Sequence, residues 1–285
     1  MLIEMGAPRP AVKARVIALA CSGSSGSQWR PLAQALGRGR ELLTPEHAGP
    51  GIAARLDGNA FTLADEAARC IRLIDACEGN VHLVGHSYGG GVALQAALAR
   101  PDRIASMTLY EPAAFHLLDE VGADGAAGFV EIAAIARRVR DAVGAGEPAG
   151  AAAAFVDYWN EPGAWARLSE HVRAALTRWA PKAPLEFAAL MDARTVLEDF
   201  AVLDFPLLVL RGEHAPMPTR VIADALPEAM HCARVEVLAG AGHMGPMTHA
   251  DAVSTRIVAH IMSAEAMPAL HARTITGRLV GLDAA

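Results

Sequence analysis

Cysteine is scarce in this chain: Cys21, Cys70, Cys77 and Cys232 are the only four in 285 residues, and no two form a C-x-x-C pair. That excludes a disulfide framework and suits a reducing cytoplasm. Cys70 and Cys77 lie seven apart on one helical face, where buried packing is the expected role. Basic residues are outnumbered, 25 Lys and Arg against 31 Asp and Glu, giving a formal net charge of −6. No positive stripe stands out, which argues against a nucleic-acid partner. Although 53% of residues are hydrophobic, much of this is alanine, and no apolar run approaches the ~18 residues of a membrane span. Met1 to Gly6 has Glu4 inside its only apolar piece and no basic leader, unlike a secretion signal. A soluble, cytoplasmic protein is expected, of unspecified oligomeric state.

Metal-ligand spacing is also missing. His243 and His249 have no third or fourth ligand in a recognised pattern, so no metal is expected. Two hundred and eighty-five residues suffice for one large core, or a core with a subordinate lobe.

What is present is organised around Val81-His82-Leu83-Val84-Gly85-His86-Ser87-Tyr88-Gly89-Gly90-Gly91 and the apolar run after it. The pattern reads as a buried strand, a turn too tight for side chains at its corners, and a helix. Gly85 and Gly89 flank Ser87 as G-x-S-x-G, which leaves a serine hydroxyl at the apex of a strand-to-helix turn. Unpaired N–H groups at the helix start favour negative charge there. Ser87 is therefore a candidate nucleophile; the alternative is a serine that merely caps the helix.

Ahead of it, 15–21 is a continuous apolar run typical of a strand covered on both faces. It empties into the small-residue loop Ser22 to Trp29, which either brings N–H groups near a substrate oxygen or is a plain connection. Residues 41–45 suggest a second strand, and 63–77 a helix with Thr62 and Asp65 as start signals and Gly79 as a stop. Ile104 to Tyr110 is the next strand, ending at Glu111-Pro112. Strand, helix and strand at this spacing imply parallel pairing with right-handed crossovers.

From 113 to 203 the pattern is helical only, with segments expected at 126–140, 149–159, 164–179 and 185–200. Such an insert is read as a lid over the carboxyl ends of the strands, the alternative being a lobe with no role at the site. Phe155, Tyr158, Trp159, Trp165 and Trp179 either greet an apolar substrate group or form the insert's own core. Strands return at 205–211 and 233–238, with a helix at 219–226 between them. The glycine-rich loop Gly240 to Pro246 carries His243, and a closing helix follows at 251–262. The expected division is 1–112 with 204–262 as core, 113–203 as cap and 263–285 as a loosely held tail.

A serine needs a base near neutral pH, and histidine has the suitable pKa. Among eleven histidines, His243 follows a late strand and falls at the same sheet edge as Ser87. His86 is Ser87's neighbour across a sharp turn, so packing is its expected role.

With Gly85-His86-Ser87-Tyr88-Gly89, the late Gly240-Ala241-Gly242-His243, and a helical insert between strands, the chain resembles an α/β-hydrolase over nearly its whole length. The resemblance implies an α/β fold, a mostly parallel sheet flanked by helices with an all-helical cap inserted, and a serine–acid–histidine triad needing no cofactor. Members of that family often place the acid as G-x-x-D after the strand that follows the cap; here that loop reads Gly212-Glu213-His214-Ala215, and the aspartate position holds Ala215. Glu111, at the end of the strand after the nucleophile helix, is the preferred substitute, with Glu213 as the alternative. A buried strand-end carboxylate without partners would be costly, which argues for a task for Glu111. Where the family often carries His-Gly, this chain has Ala20-Cys21, so the oxyanion donors, being backbone N–H groups, are placed on Ser22 and Tyr88. The implied function is hydrolysis of a carboxylic ester, thioester or lactone of a small apolar substrate. Carbon–carbon bond hydrolysis with the same triad, acyl transfer to an alcohol, and ligand binding without turnover are the alternatives.

Overall fold

The structure is a computed structural model that describes residues 14–55 and 60–267. Six parallel strands form its sheet: β1 (Ala14–Leu19), β2 (Arg40–Leu43), β3 (Val81–His86), β4 (Ile104–Tyr110), β5 (Leu207–Gly212) and β6 (Ala233–Leu238), in the order β2-β1-β3-β4-β5-β6. The expected α/β class is what the backbone adopts. Strand burial follows position. In β3 every residue is buried, because helices cover both faces, whereas β6 at the edge leaves Val235 and Val237 exposed and breaks its apolar run with Arg234 and Glu236.

Helices α1 (Arg30–Leu36), α2 (Leu63–Ala76) and α3 (Tyr88–Ala99) lie in the first half. The start of α2 is set by a capping box: Thr62 Oγ1 accepts from Asp65 N at 3.2 Å, and Asp65 Oδ2 accepts from Thr62 N at 2.9 Å. The chain runs outward from β1 to β2 and then crosses back to β3 on the other side of β1. That reversal opens a crevice at the carboxyl ends of β1 and β3, the place where ligands bind in such sheets.

Between β4 and β5 stand five helices: α4 (Gly122–Gly144), α5 (Pro148–Trp159), α6 (Ala164–Arg167), α7 (Glu170–Trp179) and α8 (Ala183–Met191). Three expected segments differ from this, and the one expected over 126–140 is longer by four residues at each end. The helix expected over 164–179 is interrupted at Leu168-Ser169: Ser169 is extended, and its Oγ accepts from Val172 N, so it starts a new helix instead of continuing the old one. The helix expected over 185–200 ends at Met191. There the His116 ring bonds both the Leu190 carbonyl (3.0 Å) and Thr195 Oγ1 (2.8 Å), a tertiary contact that diverts the chain and that periodicity does not reveal. The insert is held to the sheet half by apolar packing that is continuous with the main core, Phe115, Trp159, Phe187 and Leu190 joining Val92 and Leu109.

After β5 come α9 (Met217–Ala229), the short α10 (Gly245–Thr248) and α11 (Ala250–Ala266). α11 runs four residues past the expected end at Met262, because Glu265 pairs with Arg40 Nε at 3.1 Å. The tail expected from 263 thus begins as helix, and 268–285 lie outside the described residues.

Candidate active site

Ser87 occupies the turn between β3 and α3 with φ 54° and ψ −118°, a conformation L-residues rarely hold. Backbone bonds pin it. Its N–H donates to Tyr110 O (3.0 Å), and its carbonyl accepts from Gly90 N (2.8 Å) and Ala113 N (2.9 Å). Gly89 is obligatory, since a Cβ there would stand 2.5 Å from the Leu19 and Ala20 carbonyls, closing β1 against the start of α3. The capping alternative does not describe this serine: its hydroxyl makes no cap bond and instead meets His243 Nε2 at 2.9 Å.

His243 Nδ1 lies 2.7 Å from Glu111 Oε2, so the ring donates to the carboxylate through Nδ1 and accepts a hydrogen bond from the Ser87 hydroxyl through Nε2. Both residues are buried. Glu111 takes a positive φ of 41° where β4 ends. Its carboxylate also accepts from Gly212 N (2.9 Å) and Thr219 Oγ1 (3.0 Å). Three donors around a buried carboxylate are the compensation its burial requires. Glu213 is elsewhere: exposed, with Oε2 accepting from Gly240 N at 2.9 Å, it braces the loop that carries His243 without touching the ring. Ala215 is buried nearby and has no carboxylate to offer.

Tyr88 is the first residue of α3, where N–H groups have no acceptor within the helix. Ser22 lines the same cavity as Ser87. The Cys21 thiol beside it is pushed up to about 12 by burial, which leaves it a poor nucleophile.

Sequence reasoning named His86 only as packing; the structure gives it a specific task. Gln28 Nε2 donates to His86 Nδ1 (3.0 Å), His86 Nε2 donates to the His243 carbonyl (2.9 Å), and Gln28 Oε1 accepts from Cys21 N (3.3 Å). One chain of bonds therefore ties the loop after β1 to the loop bearing His243. Burial, helped by the nearby His243 ring, holds His86 well below the usual histidine range, as its neutral donor-acceptor role demands. Trp159 also went unread as an individual: its ring stacks on His243 with centroids 4.1 Å apart and an interplanar angle of 28°.

Ser87 opens on a small pocket lined chiefly by Ala113, Phe115, Phe155, Trp159, Phe187 and Leu190, with Glu186 and Ser22 as polar walls. Of the five expected aromatics, Phe155 and Trp159 face it. Trp179 packs on Phe155 and near Gly23, while Tyr158 bonds Glu131 at 2.7 Å. Among the described residues no cluster of three or more side chains could hold a metal, and no helix is long and apolar enough to cross a membrane.

A family model described as the alpha/beta hydrolase family matches residues 16–256. The chain belongs to the alpha/beta hydrolase family. An 88-residue stretch is 38% identical to a protein of Caulobacter vibrioides named "Putative carbamate hydrolase RutD", covering 30% of this chain and 33% of that protein. The chain thus matches about a third of the length of that relative. Among solved structures, a hydrolase from Pseudomonas aeruginosa aligns with a TM-score of 0.68 at 24% identity, over 88% of this chain and 91% of that one. An enol-lactonase from Burkholderia xenovorans aligns at 0.64 and 19%, over 87% and 91%. At those identities the two structures speak for the hydrolase fold alone.

Proposed function

We propose that the protein is a cofactor-independent serine hydrolase that cleaves a carboxylic ester, thioester or lactone of a small, largely apolar substrate through an acyl-enzyme. The observation that carries this reading is the unbroken chain from Ser87 Oγ through His243 to Glu111, at 2.9 and 2.7 Å, opening on the apolar cavity.

In the first step His243 Nε2 takes the Ser87 proton as Oγ attacks the substrate carbonyl carbon. The resulting oxyanion is held by the Tyr88 and Ser22 N–H groups. The imidazolium, paired with the Glu111 carboxylate, gives its proton to the leaving oxygen or sulfur, and the acyl group stays on Ser87. Water, deprotonated by His243, then attacks the acyl carbon, the bond from that carbon to Ser87 Oγ breaks, and the imidazolium returns its proton to Oγ as the acid leaves. Glu111 stays paired with the ring, and its three donors keep it so oriented.

In this reading residues 113–203 form a cap over a hydrolase core made of the described residues up to 112 and from 204 to the end of α11 at Ala266. The cap's part in the site is supported by Trp159 against His243 and by Phe155 and Phe187 in the cavity wall. The four free cysteines suit the cytoplasm as its location. The name of the Caulobacter relative favours one neighbouring reading, a carbamate as substrate, which the same acyl chemistry would serve. The ligand-binding alternative loses its motive once Glu111 stands in for the acid missing at Ala215.

The test is hydrolysis of short-chain methyl and p-nitrophenyl esters by the wild type and by Ser87→Ala. Turnover by the first and a rate near background for a folded Ser87→Ala are expected. Undiminished activity in that variant would refute the serine mechanism.

A further inference from the structure

Two walls of the Ser87 cavity carry buried polar atoms without a hydrogen-bond partner, Glu186 Oε2 and Trp159 Nε1. Trp29 Nε1 and Thr108 Oγ1 share that condition but do not line the cavity. Glu186 is 3% exposed, and its other oxygen is occupied: Oε1 lies 3.0 Å from Lys182 Nζ and accepts from Trp179 Nε1 at 3.3 Å. The same ammonium also donates to Glu66 Oε2 at 2.7 Å. Glu66 is itself shared, accepting from Tyr88 Oη at 2.8 Å and from Ala48 N at 2.7 Å. Two buried carboxylates thus divide one lysine, and the oxygen left over belongs to the residue that faces the reacting serine.

Buried acceptors are almost always matched, so an unmatched carboxylate oxygen in a cavity wall calls for a reason. A ligand supplies one. A carboxylate oxygen accepts hydrogen bonds only, so the group that completes it must present a donor, as a hydroxyl or a primary amide does. The enclosed space beside Ser87 is small, so the group must be a small one.

We propose that Glu186 is a specificity-determining residue, and that the substrate part seated in this cavity carries an N–H or O–H donor for Glu186 Oε2. The proposal rests on the serine-hydrolase reading and refines it: the substrate is small and mostly apolar, but it bears one polar group on the acyl or the alcohol side of the scissile bond. Lys182 is then a positioning residue that fixes the Glu186 rotamer and, through Glu66, the Tyr88 ring next to the proposed oxyanion donor.

The experiment compares kcat/KM for two isosteric pairs by pH-stat: methyl 3-hydroxypropanoate against methyl butanoate for the acyl side, and 2-hydroxyethyl acetate against propyl acetate for the alcohol side. In the wild type the hydroxyl member of at least one pair is expected to lead by on the order of ten- to a hundredfold, because a site built for a hydrogen bond penalises the analogue that leaves it unpaired. Glu186→Leu removes that preference. Glu186→Gln, which keeps an acceptor oxygen but loses the charge, reduces it severalfold and serves alone if the leucine variant fails to fold. Equal rates or a methyl preference in both pairs, or a ratio untouched by either variant, overturns the proposal while leaving the hydrolase intact. No turnover of any of these esters, with Ser87 also inert to a fluorophosphonate, overturns the hydrolase reading and this inference with it.

Discussion

At the scale of single residues, the arrangement turns on where a carboxylate can reach His243. Glu111 was readable as a candidate because a charged residue closing a largely apolar, buried strand has to be compensated. Its donors were not readable, since Gly212 and Thr219 are 101 and 108 positions away and nothing in their local sequence marks them. Glu213 looked plausible from spacing, but its side chain turns to Gly240. Glu111→Gln keeps the shape and removes the charge that orients the ring and stabilises the imidazolium, so kcat should fall by several powers of ten, on the order of the ~10⁴ known for neutralised triad acids. Glu213→Gln, changing an exposed residue, should lower it by less than about tenfold. Steady-state kinetics on one ester decides the ranking, and the reverse order would move the acid to the later loop.

Among elements, strands were the most legible part of the chain. β1, β3 and β4 announce themselves as apolar runs because a parallel sheet covered on both faces leaves no polar alternation. The helical insert was legible as helix but not in its joints, because Ser169 and His116 act through contacts that a periodicity count ignores. The loops of the site were least legible: the bond chain Cys21, Gln28, His86, His243 crosses three elements, and His86 is visible in sequence only as Ser87's neighbour. His86→Leu would strand the Gln28 amide and the His243 carbonyl, each buried. A loss of about 1–3 kcal/mol of stability is expected, together with a drop in kcat larger than any change in KM, since His243 rather than substrate contact is disturbed. Thermal melts and kinetics of the same sample check both; a change confined to KM would contradict the positioning role.

Across the whole molecule, buried histidines set the response to acid. Burial lowers His82 to about 4 and also depresses His86, His116 and His260. Each binds a proton in the unfolded chain near pH 6.5 but resists it when folded, so folding loses free energy as pH falls below the unfolded value and keeps losing it toward each folded value. Glu66 works in a lower window. Burial raises its carboxyl, but His47 and Lys182 outweigh that and hold it well below the usual range, so its contribution stays intact until pH drops under its unfolded value near 4.3. Tm should therefore decline between pH 7 and 5, before any carboxylate is involved, and His82→Gln should flatten the decline. A Tm unchanged from pH 7 to 5 would contradict the assignment of these rings as neutral.

The most direct measurement is the mass of the intact protein after exposure to a fluorophosphonate, for the wild type and Ser87→Ala side by side. A single adduct on the wild type that maps to Ser87 and is absent from the folded variant is the expected result, because only a serine whose proton His243 can take reacts at a useful rate. An unmodified wild type, or an adduct that persists without Ser87, would contradict the claim that Ser87, His243 and Glu111 form a working nucleophile.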